Sequence, residues 1–293
     1  MISNIEIQEF INSLNIEIPP TDDFLHLSNV CPINPIKPEN NANLERGMLL
    51  YALIKKYKPK NVLEIGTAEG FSTLCMAWSM SDSDIDGTIH TIDPKPFDTP
   101  IERINTWNEN EKQEIVILST KELWNKFAKQ EWINKIKVFT GFSGEILEKT
   151  SKVLPHMDMG FIDGHHAYNA VLHDFHAFLR IASKDFHLLF DDYAQTGEDG
   201  VSRAINEQVS PHFDMTLINN QEESIKTNTQ NRNSVMCLIK SDSLNKPLDD
   251  IYPKSKSIQI INEYLNWEKR WKLRKSLNKK IPFLGKFKFT RGN

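Results

Sequence analysis

Short, continuous apolar runs recur along the chain, and stretches with apolar residues at helical spacing separate them. A brief apolar run bounded by Gly, Pro or Asp is typical of a strand that is buried on both faces of a sheet. The runs predict seven strands, at residues 61–65, 88–92, 136–140, 159–162, 186–190, 213–218 and 234–240.

The stretches between these runs place apolar residues three and four positions apart, which predicts helices. They cover residues 4–14, 43–57, 71–80, 120–133, 145–154, 167–182 and 200–209. Because strands alternate with helices, the pattern predicts a doubly wound α/β fold with a mostly parallel sheet. The last two strands have no obvious helix between them, so we expect an antiparallel hairpin at one edge of the sheet.

Two stretches fit this alternation poorly. The Pro-rich segment 19–38 predicts an irregular connector. Segment 96–134, with a further candidate strand at 115–118, is longer than a crossover requires, so part of it could form a lid or a substrate loop. We divide the chain into an N-terminal helix and connector (1–42), the α/β domain (43–240), and a linker with a basic helical appendage (241–293).

The composition narrows the class of protein. Hydrophobic residues make up 39% and charged residues 25% of the chain, which is typical of a soluble globular protein. The N-terminus lacks the basic and apolar regions of a signal peptide, and no apolar run is long enough to cross a bilayer. We therefore expect a cytoplasmic location. Cys31, Cys75 and Cys237 are scattered and odd in number, which indicates reduced thiols and no zinc cluster.

The formal net charge of −4 hides an uneven distribution. Residues 253–293 contain 12 Lys or Arg against 2 acidic residues, so the rest of the chain is strongly acidic. This basic segment could be a packing helix with solvated lysines, a nucleic-acid contact, or an amphipathic element on the inner membrane surface. Its bulky apolar residues favour contact of 258–293 with an anionic membrane over nucleic acid, which the acidic body would repel. The packing helix stays equally open.

Acidic residues and histidines gather at the ends of two neighbouring predicted strands. Asp163 follows the fourth strand, with His165 and His166 close behind, and Asp191 and Asp192 follow the fifth. Because the carboxyl ends of parallel strands share one edge of a sheet, we expect these side chains to converge. Three carboxylates in one place require a cation or a shared proton. The simpler alternative for the Asp191-Asp192 pair is a helix cap and a surface acid.

A glycine turn follows the first predicted strand, reading Glu64-Ile-Gly-Thr-Ala-Glu-Gly70. Its spacing differs from the GxGxxG pattern that binds dinucleotide pyrophosphate, and Glu64 disfavours phosphate. An acid here suits a positively charged ligand such as S-adenosylmethionine. Asp93, at the end of the second strand, could accept hydrogen bonds from ribose hydroxyls. A structural turn and a solvated strand-end Asp are the alternatives.

The segments NVLEIGTAEGFSTL and HTIDP resemble the first two motifs of class I S-adenosylmethionine-dependent methyltransferases, and the resemblance covers roughly residues 43–240. FIDGHHAYNAVLHDFHAFL, LLFDDY and GVSRAINE resemble the metal-dependent branch with cephalosporin-hydroxylase-like proteins and macrolide-sugar O-methyltransferases. The resemblance implies a Rossmann-like fold with a seven-stranded sheet. One departure is Ser183-Lys184-Asp185, which stands where a Gly pair is usual and should alter a turn.

The resemblance also assigns site residues by position. It implies Mg²⁺ ligands at Asp163, Asp191 and Asp192, and a general base at His166, although His165 is not excluded as the base. It implies contacts with S-adenosylmethionine at Glu64, Gly66, Thr67, Gly70, Ser72, Asp93, Gly141 and Ser143. For His173 and His176, which lie on the helix after the fourth strand, we expect a partly exposed structural role.

The reaction implied is Mg²⁺-assisted transfer of a methyl group to a hydroxyl oxygen. The acceptor suggested by the resemblance is a small molecule or saccharide, such as a sugar, a glycan or a natural product. A catechol-type aromatic acceptor would suit the same metal. A different reaction of this fold, or a cofactor-binding module without catalysis, are further alternatives. The sequence leaves open whether the protein forms a homo-oligomer.

Overall fold

The computed structural model describes residues 1–31, 42–105, 114–193, 199–222, 232–244 and 246–280. The apolar runs form extended strands because most of them are buried between two layers of helices. The strands are β1 (Ile2–Glu6), β2 (Asn61–Ile65), β3 (Thr88–Asp93), β4 (Ile101–Asn105), β5 (Glu114–Leu118), β6 (Ile136–Thr140), β7 (Met157–Ile162), β8 (Ala182–Tyr193), β9 (Met215–Glu222) and β10 (Arg232–Lys240).

Eight of these strands form the main sheet, in the order β1-β9-β10-β8-β7-β2-β3-β6. Strand β10 is antiparallel to both of its neighbours, and the remaining pairs are parallel. The chain runs outward from β2 through β3 to β6, and then returns to place β7 and β8 on the other side of β2. Ligands bind at the carboxyl ends of the strands where such a sheet changes direction, here between β2 and β7.

Helices cover both faces of the sheet. They are α1 (Ile7–Ser13), α2 (Thr21–Leu27), α3 (Leu44–Tyr57), α4 (Phe71–Asp82), α5 (Thr120–Phe127), α6 (Gln130–Ile133), α7 (Ser143–Thr150), α8 (Tyr168–Leu179), α9 (Asp199–Ala204), α10 (Leu248–Ile251) and α11 (Lys254–Lys280). Short 3₁₀ segments lie at Ser28–Val30 and Ser241–Ser243, and a π-helical turn at Ile205–Val209. Because successive strand residues point to opposite faces, Val62 packs with the layer of α3 and α4, and Leu63 with the layer of α7 and α8.

The predicted fold class is confirmed, since the sheet is mostly parallel and includes the β9–β10 hairpin. The predicted number of seven strands is wrong, because the main sheet of the described residues has eight. The additional strand is β1, which overlaps the start of the helix predicted over 4–14. This strand pairs in parallel with β9, from Ile2 opposite Met215 to Glu6 opposite Asn219. An open edge of β9 would leave backbone groups without partners, and pairing with β1 satisfies them.

Strand β8 is longer than predicted and extends to the candidate site at its carboxyl end. It begins at Ala182, so Ser183-Lys184-Asp185 lies inside a strand and not in a turn. The Ser183 hydroxyl donates to Asp158 Oδ1 at 2.6 Å and links the start of β8 to β7. The replacement of the Gly pair therefore leaves the sheet intact.

Segment 96–134 contains a separate two-stranded antiparallel sheet, β4–β5, and the helix expected over 120–133 is divided into α5 and α6. Arg103 of β4 is buried, donates to the Leu118 carbonyl at 3.0 Å and forms an ion pair with Glu69. The hairpin is thereby attached to the glycine turn between β2 and α4. A lid function for this segment stays a prediction.

The C-terminal helix α11 packs against α7 and α8. His176 Nδ1 and Ser257 Oγ are hydrogen-bonded at 3.0 Å, and the His173 ring lies 4.5 Å from the Tyr264 ring. The prediction that His173 and His176 are partly exposed is wrong, because α11 covers both of them. Residues 281–293 of the basic segment lie outside the described residues. Within the described ranges, no helix is both long and apolar enough to cross a membrane.

Candidate active site

The acidic residues converge at the carboxyl edge of β7 and β8. Asp163 directly follows β7, and its amide donates to the Ile65 carbonyl at 2.8 Å, which fixes this turn to the end of β2. Asp191 and Asp192 lie at the carboxyl end of β8, directly before its last residue, Tyr193. A small cavity adjoins them, lined by Ile162, Asp163, Gly164, His165, His166, Val171, Phe190, Asp191 and Val201.

Arg46 of α3 joins two of these carboxylates. Its Nη1 donates to Asp163 Oδ2 at 3.0 Å and to Asp191 Oδ2 in a shorter contact. The Asp191 side chain is only 1% exposed. Burial alone would lower the pKa of Arg46, but Asp191 and Asp163 outweigh it and raise the pKa, so the guanidinium stays charged. The sequence-based reasoning missed Arg46, which lies 117 positions from Asp163 and carries no motif of its own.

Asp192 instead contacts the histidine that the resemblance assigns as the base. His166 Nε2 lies 2.9 Å from Asp192 Oδ2. The backbone of Asp192 is left-handed, with φ of 56°, a conformation that Asp tolerates better than most residues. His165 is exposed, and its Nδ1 accepts a hydrogen bond from the Ala167 amide at 3.1 Å. The two adjacent histidines therefore differ in their contacts, and only His166 is paired with a carboxylate of this cluster.

Three residues of the cluster could hold a metal ion. One ligand atom each from Asp163, His166 and Asp192 lie within 4.8 Å of one another. Burial raises the pKa of Asp163 well above its usual range, with Asp191 and Asp192 adding to the effect and Arg46 opposing it. The two carboxylates offer the oxygen ligands that Mg²⁺ prefers, whereas an imidazole ligand is more usual for transition metals. The Asp191 side chain is almost fully buried and lies outside this group of ligand atoms, so Asp163 and Asp192 are the carboxylates that could hold Mg²⁺.

The glycine turn lies beside this cluster and depends on its glycines. Gly66 has φ of 103°, and a Cβ atom there would lie 2.0 Å from the Asp163 carbonyl oxygen. Gly70 has φ of 88°, and a Cβ atom would lie 2.3 Å from the Trp124 ring. Trp124 also donates through Nε1 to the Glu69 carbonyl at 2.8 Å. Neither position accommodates a side chain, so the turn can approach β7 and α5 closely.

Glu64 lies inside the protein beneath α4. Its Oε2 accepts hydrogen bonds of 2.5 Å from the hydroxyls of Thr73 and Thr91. Its Oε1 is buried and has no hydrogen-bond partner among the described residues. Burial raises the pKa of Glu64 to about 7, although the two threonines oppose the shift. Thr67 and Ser72 are also buried, and the Thr67 hydroxyl lies 2.5 Å from that of Thr91.

Asp93 connects the glycine turn to the turn after β6. Its Oδ2 accepts from the Ala68 amide at 2.8 Å, and its Oδ1 accepts from the Lys95 amide at 2.7 Å. The Gly141 amide donates to the Asp93 carbonyl at 2.9 Å. The Ser143 hydroxyl points to α8 and donates to the buried Asp174 carboxylate at 2.6 Å. Of the residues assigned to the cofactor, Gly66, Gly70, Asp93 and Gly141 lie in turns at the carboxyl edge. Glu64, Thr67 and Ser72 are buried, and the Ser143 hydroxyl is bound to Asp174.

Residues 63–193 match the family model described as a methyltransferase domain. The match begins in β2, ends with β8 and contains the glycine turn, Asp93 and the acidic cluster. Residues 63–193 form a methyltransferase domain. The protein is an S-adenosylmethionine-dependent methyltransferase, with the glycine turn and the cluster at the edge where its fold binds ligands.

Solved structures share the fold of this methyltransferase. The O-methyltransferase TomG from Streptomyces achromogenes, in complex with SAM and involved in tomaymycin synthesis, is 16% identical. The match has a TM-score of 0.51 and covers 79% of this chain and 94% of that chain. A candidate O-methyltransferase from Klebsiella pneumoniae is 17% identical, with a TM-score of 0.50, 79% of this chain covered and 94% of that chain. A search of curated proteins returns no match.

Proposed function

We propose that this methyltransferase acts on a hydroxyl oxygen, with Mg²⁺ assistance, and that its acceptor is a sugar, a glycan or a polyhydroxyl natural product. The observation that carries the proposal is the His166–Asp192 pair, 2.9 Å apart and next to Asp163 at the ligand-binding edge. An alcohol must lose its proton as its oxygen is methylated. A histidine held by a carboxylate is suited to take that proton near neutral pH.

Each residue of the cluster has a distinct role in this proposal. His166 is the general base, and Asp192 holds its ring in position. Asp163 and Asp192 would hold Mg²⁺, whose charge makes a nearby hydroxyl group more acidic. Arg46 neutralises part of the negative charge of Asp163 and Asp191, which keeps the cluster compact without a proton on each acid.

The glycine turn and its neighbours would hold the methyl donor. Glu64 Oε1 is a buried acceptor without a described partner, and a positively charged ligand nearby would stabilise its ionised form. Asp93 keeps acceptor capacity for ribose hydroxyls beyond its two bonds to backbone amides. Gly66, Gly70 and Gly141 let this edge pack closely on Asp163, Trp124 and Ile146, and Thr67, Ser72 and Ser143 support the same edge from within.

A methyl-transfer assay with radiolabelled S-adenosylmethionine tests the acceptor class. Methyl glycosides and catechols are offered in parallel, each with Mg²⁺ and with EDTA. We expect transfer to glycosides that EDTA abolishes and Mg²⁺ restores. Transfer to catechols alone would replace the sugar assignment with the aromatic one. Binding of S-adenosylhomocysteine without transfer to either class would favour a non-catalytic module, and transfer unaffected by EDTA would refute the metal.

Calorimetric titration with Mn²⁺, a substitute for Mg²⁺, tests the assigned metal ligands without turnover. Asp192→Ala should abolish binding. Binding of Mn²⁺ to Asp192→Ala with wild-type affinity would contradict the site.

Membrane contact of the basic C-terminal segment is a further part of the proposal. Lys269 and Lys272 pair with Glu148 and Glu145 of α7, so part of the positive charge of α11 is used within the protein. Contact with anionic lipid would then depend on charge that lies further along the chain. We expect sedimentation of the full chain with vesicles of phosphatidylserine and phosphatidylcholine at low salt. No difference from vesicles of phosphatidylcholine alone would count against membrane contact.

A further inference from the structure

Helix α11 places aromatic side chains between the turn after β6 and the turn after β7. The ring of Trp271 lies 5.5 Å from that of Phe142, which follows β6. The ring of Trp267 lies 6.5 Å from that of His165, which follows β7. Trp267 and Trp271 are themselves stacked, with ring centroids 6.5 Å apart and planes inclined by 21°. The helix therefore bridges the two turns that border the carboxyl edge of the sheet.

The position of α11 against the first of these turns depends on specific residues. A Cβ atom on Gly144 would lie 2.3 Å from Glu268 Oε2 and 3.1 Å from Leu265 Cδ2, so a larger residue there would displace these side chains of α11. Glu268 is 3% exposed and pairs through Oε1 with Lys272 at 2.7 Å, and Lys272 also binds Glu145 of α7. Leu265 is buried beside them. These contacts hold the aromatic side chains of α11 in place.

The fold indicates which part of S-adenosylmethionine reaches this region. In doubly wound sheets the cofactor crosses the carboxyl edge at the switch point, and the acid after the second strand of the unit binds the ribose. Asp93 is that acid, at the end of β3. The strand beyond β3 is β6, so the base attached to the ribose would extend over the turn at 141–143, where Trp271 of α11 packs against Phe142.

We infer that Trp267 of the C-terminal helix forms part of the adenine-binding surface of the S-adenosylmethionine site. Its side chain is 42% exposed although its ring is supported by Tyr264 at 5.4 Å and by Trp271. Trp267 and the half-buried Trp271 form a joint aromatic surface beside the ligand-binding edge, and exposed apolar patches in such places mark ligand-binding grooves. A purine offers the flat face that stacks on indole. This inference rests on the cofactor and is independent of the acceptor.

The test is calorimetric titration of the full chain with S-adenosylhomocysteine. Trp267→Ala should weaken binding about ten-fold, as expected for loss of one stacking contact. Trp267→Phe should restore most of the affinity because it keeps a flat ring. Leu273→Ala is the matched control, since Leu273 lies on the same helix and is 61% exposed. Equal midpoints of thermal unfolding for the three variants and the wild type would show that each is folded.

Adenosine and homocysteine, titrated separately, locate the contact. Adenosine should lose affinity for Trp267→Ala by about the same factor as S-adenosylhomocysteine, whereas homocysteine should be unaffected. Wild-type affinity of Trp267→Ala for S-adenosylhomocysteine would overturn the inference, and so would an effect on homocysteine alone. If the wild-type protein bound no S-adenosylhomocysteine, the cofactor assignment itself would fail, which is a separate result.

Discussion

Asp191 and Asp192 are neighbours at the end of β8, yet their carboxylates lie in different environments. Asp191 is 1% exposed and paired with Arg46, whereas the Asp192 side chain is 15% exposed and paired with His166. The extended backbone of β8 is interrupted at Asp192, which has a φ of 56°, so the two adjacent acids need not share a ligand. We expect Asp191 to balance the charge of the half-buried Arg46 and to support the fold, and Asp192 to serve the chemistry.

The largest expected effect is a loss of kcat when the His166–Asp192 pair is changed. We predict that His166→Asn lowers kcat by about 10²- to 10⁴-fold, because removing a general base has effects of this size. Asp192→Asn should lower kcat in the same direction by a smaller factor, since it keeps the side-chain shape and tolerates the left-handed backbone. Steady-state kinetics at saturating S-adenosylmethionine measures kcat for both variants. The acceptor is the one identified in the assay with methyl glycosides and catechols.

Stability provides the control for these two variants. Thermal unfolding of His166→Asn and Asp192→Asn should stay close to that of the wild type, because both side chains are partly exposed. A kcat for His166→Asn within a few-fold of the wild type would remove His166 from the role of base. His165→Asn should be tested beside it, since that residue is the alternative.

The second prediction concerns the Asp191 side and is a change in stability. Asp191→Ala should lower the free energy of unfolding by about 2–3 kcal/mol, because the half-buried Arg46 would lose its closest partner and keep only Asp163. Urea denaturation measures this change, with Asp192→Ala as the matched control. The double variant Asp191→Ala with Arg46→Met should recover part of the loss, since it removes both charges. Equal losses for Asp191→Ala and Asp192→Ala would erase the proposed distinction.

The third and smallest effect concerns Glu64, a buried acid without an ion-pair partner among the described residues. Its pKa is raised from 4.5 to about 7 in the folded state. Between these pH values the folded protein therefore keeps a proton on Glu64 that the unfolded chain has lost. Stability should therefore fall as pH rises from about 4.5 to 7. The loss contributed by Glu64 is on the order of 1–3 kcal/mol.

Glu64→Gln tests this contribution. The variant should be as stable as the wild type near pH 4, where Glu64 is neutral, and more stable at pH 8. Urea denaturation at both values, in the absence of S-adenosylhomocysteine, gives the comparison. Parallel stability curves for the two proteins across this range would show that Glu64 does not titrate as expected.

Local patterns predicted the central strands because burial on both faces leaves a clear apolar signature. β2 and β6 have the predicted bounds, and β3 extends one residue further. β1 was missed because its five residues contain too few apolar positions to show a strand period, and pairing with β9 decides its state. The covering of His173 and His176 was missed for a related reason, since their partner α11 lies about 80 positions away.

The sequence by itself determined the order of strands and helices, the glycine turn and the gathering of acids at the ends of two strands. These features depend on residues that are close in sequence or on rules common to all parallel sheets. Only the tertiary structure decided that Arg46 pairs with Asp191, that His166 pairs with Asp192, and that α11 covers the turn after β6. Those contacts join residues far apart in the chain, and their choice depends on how the folded elements pack together.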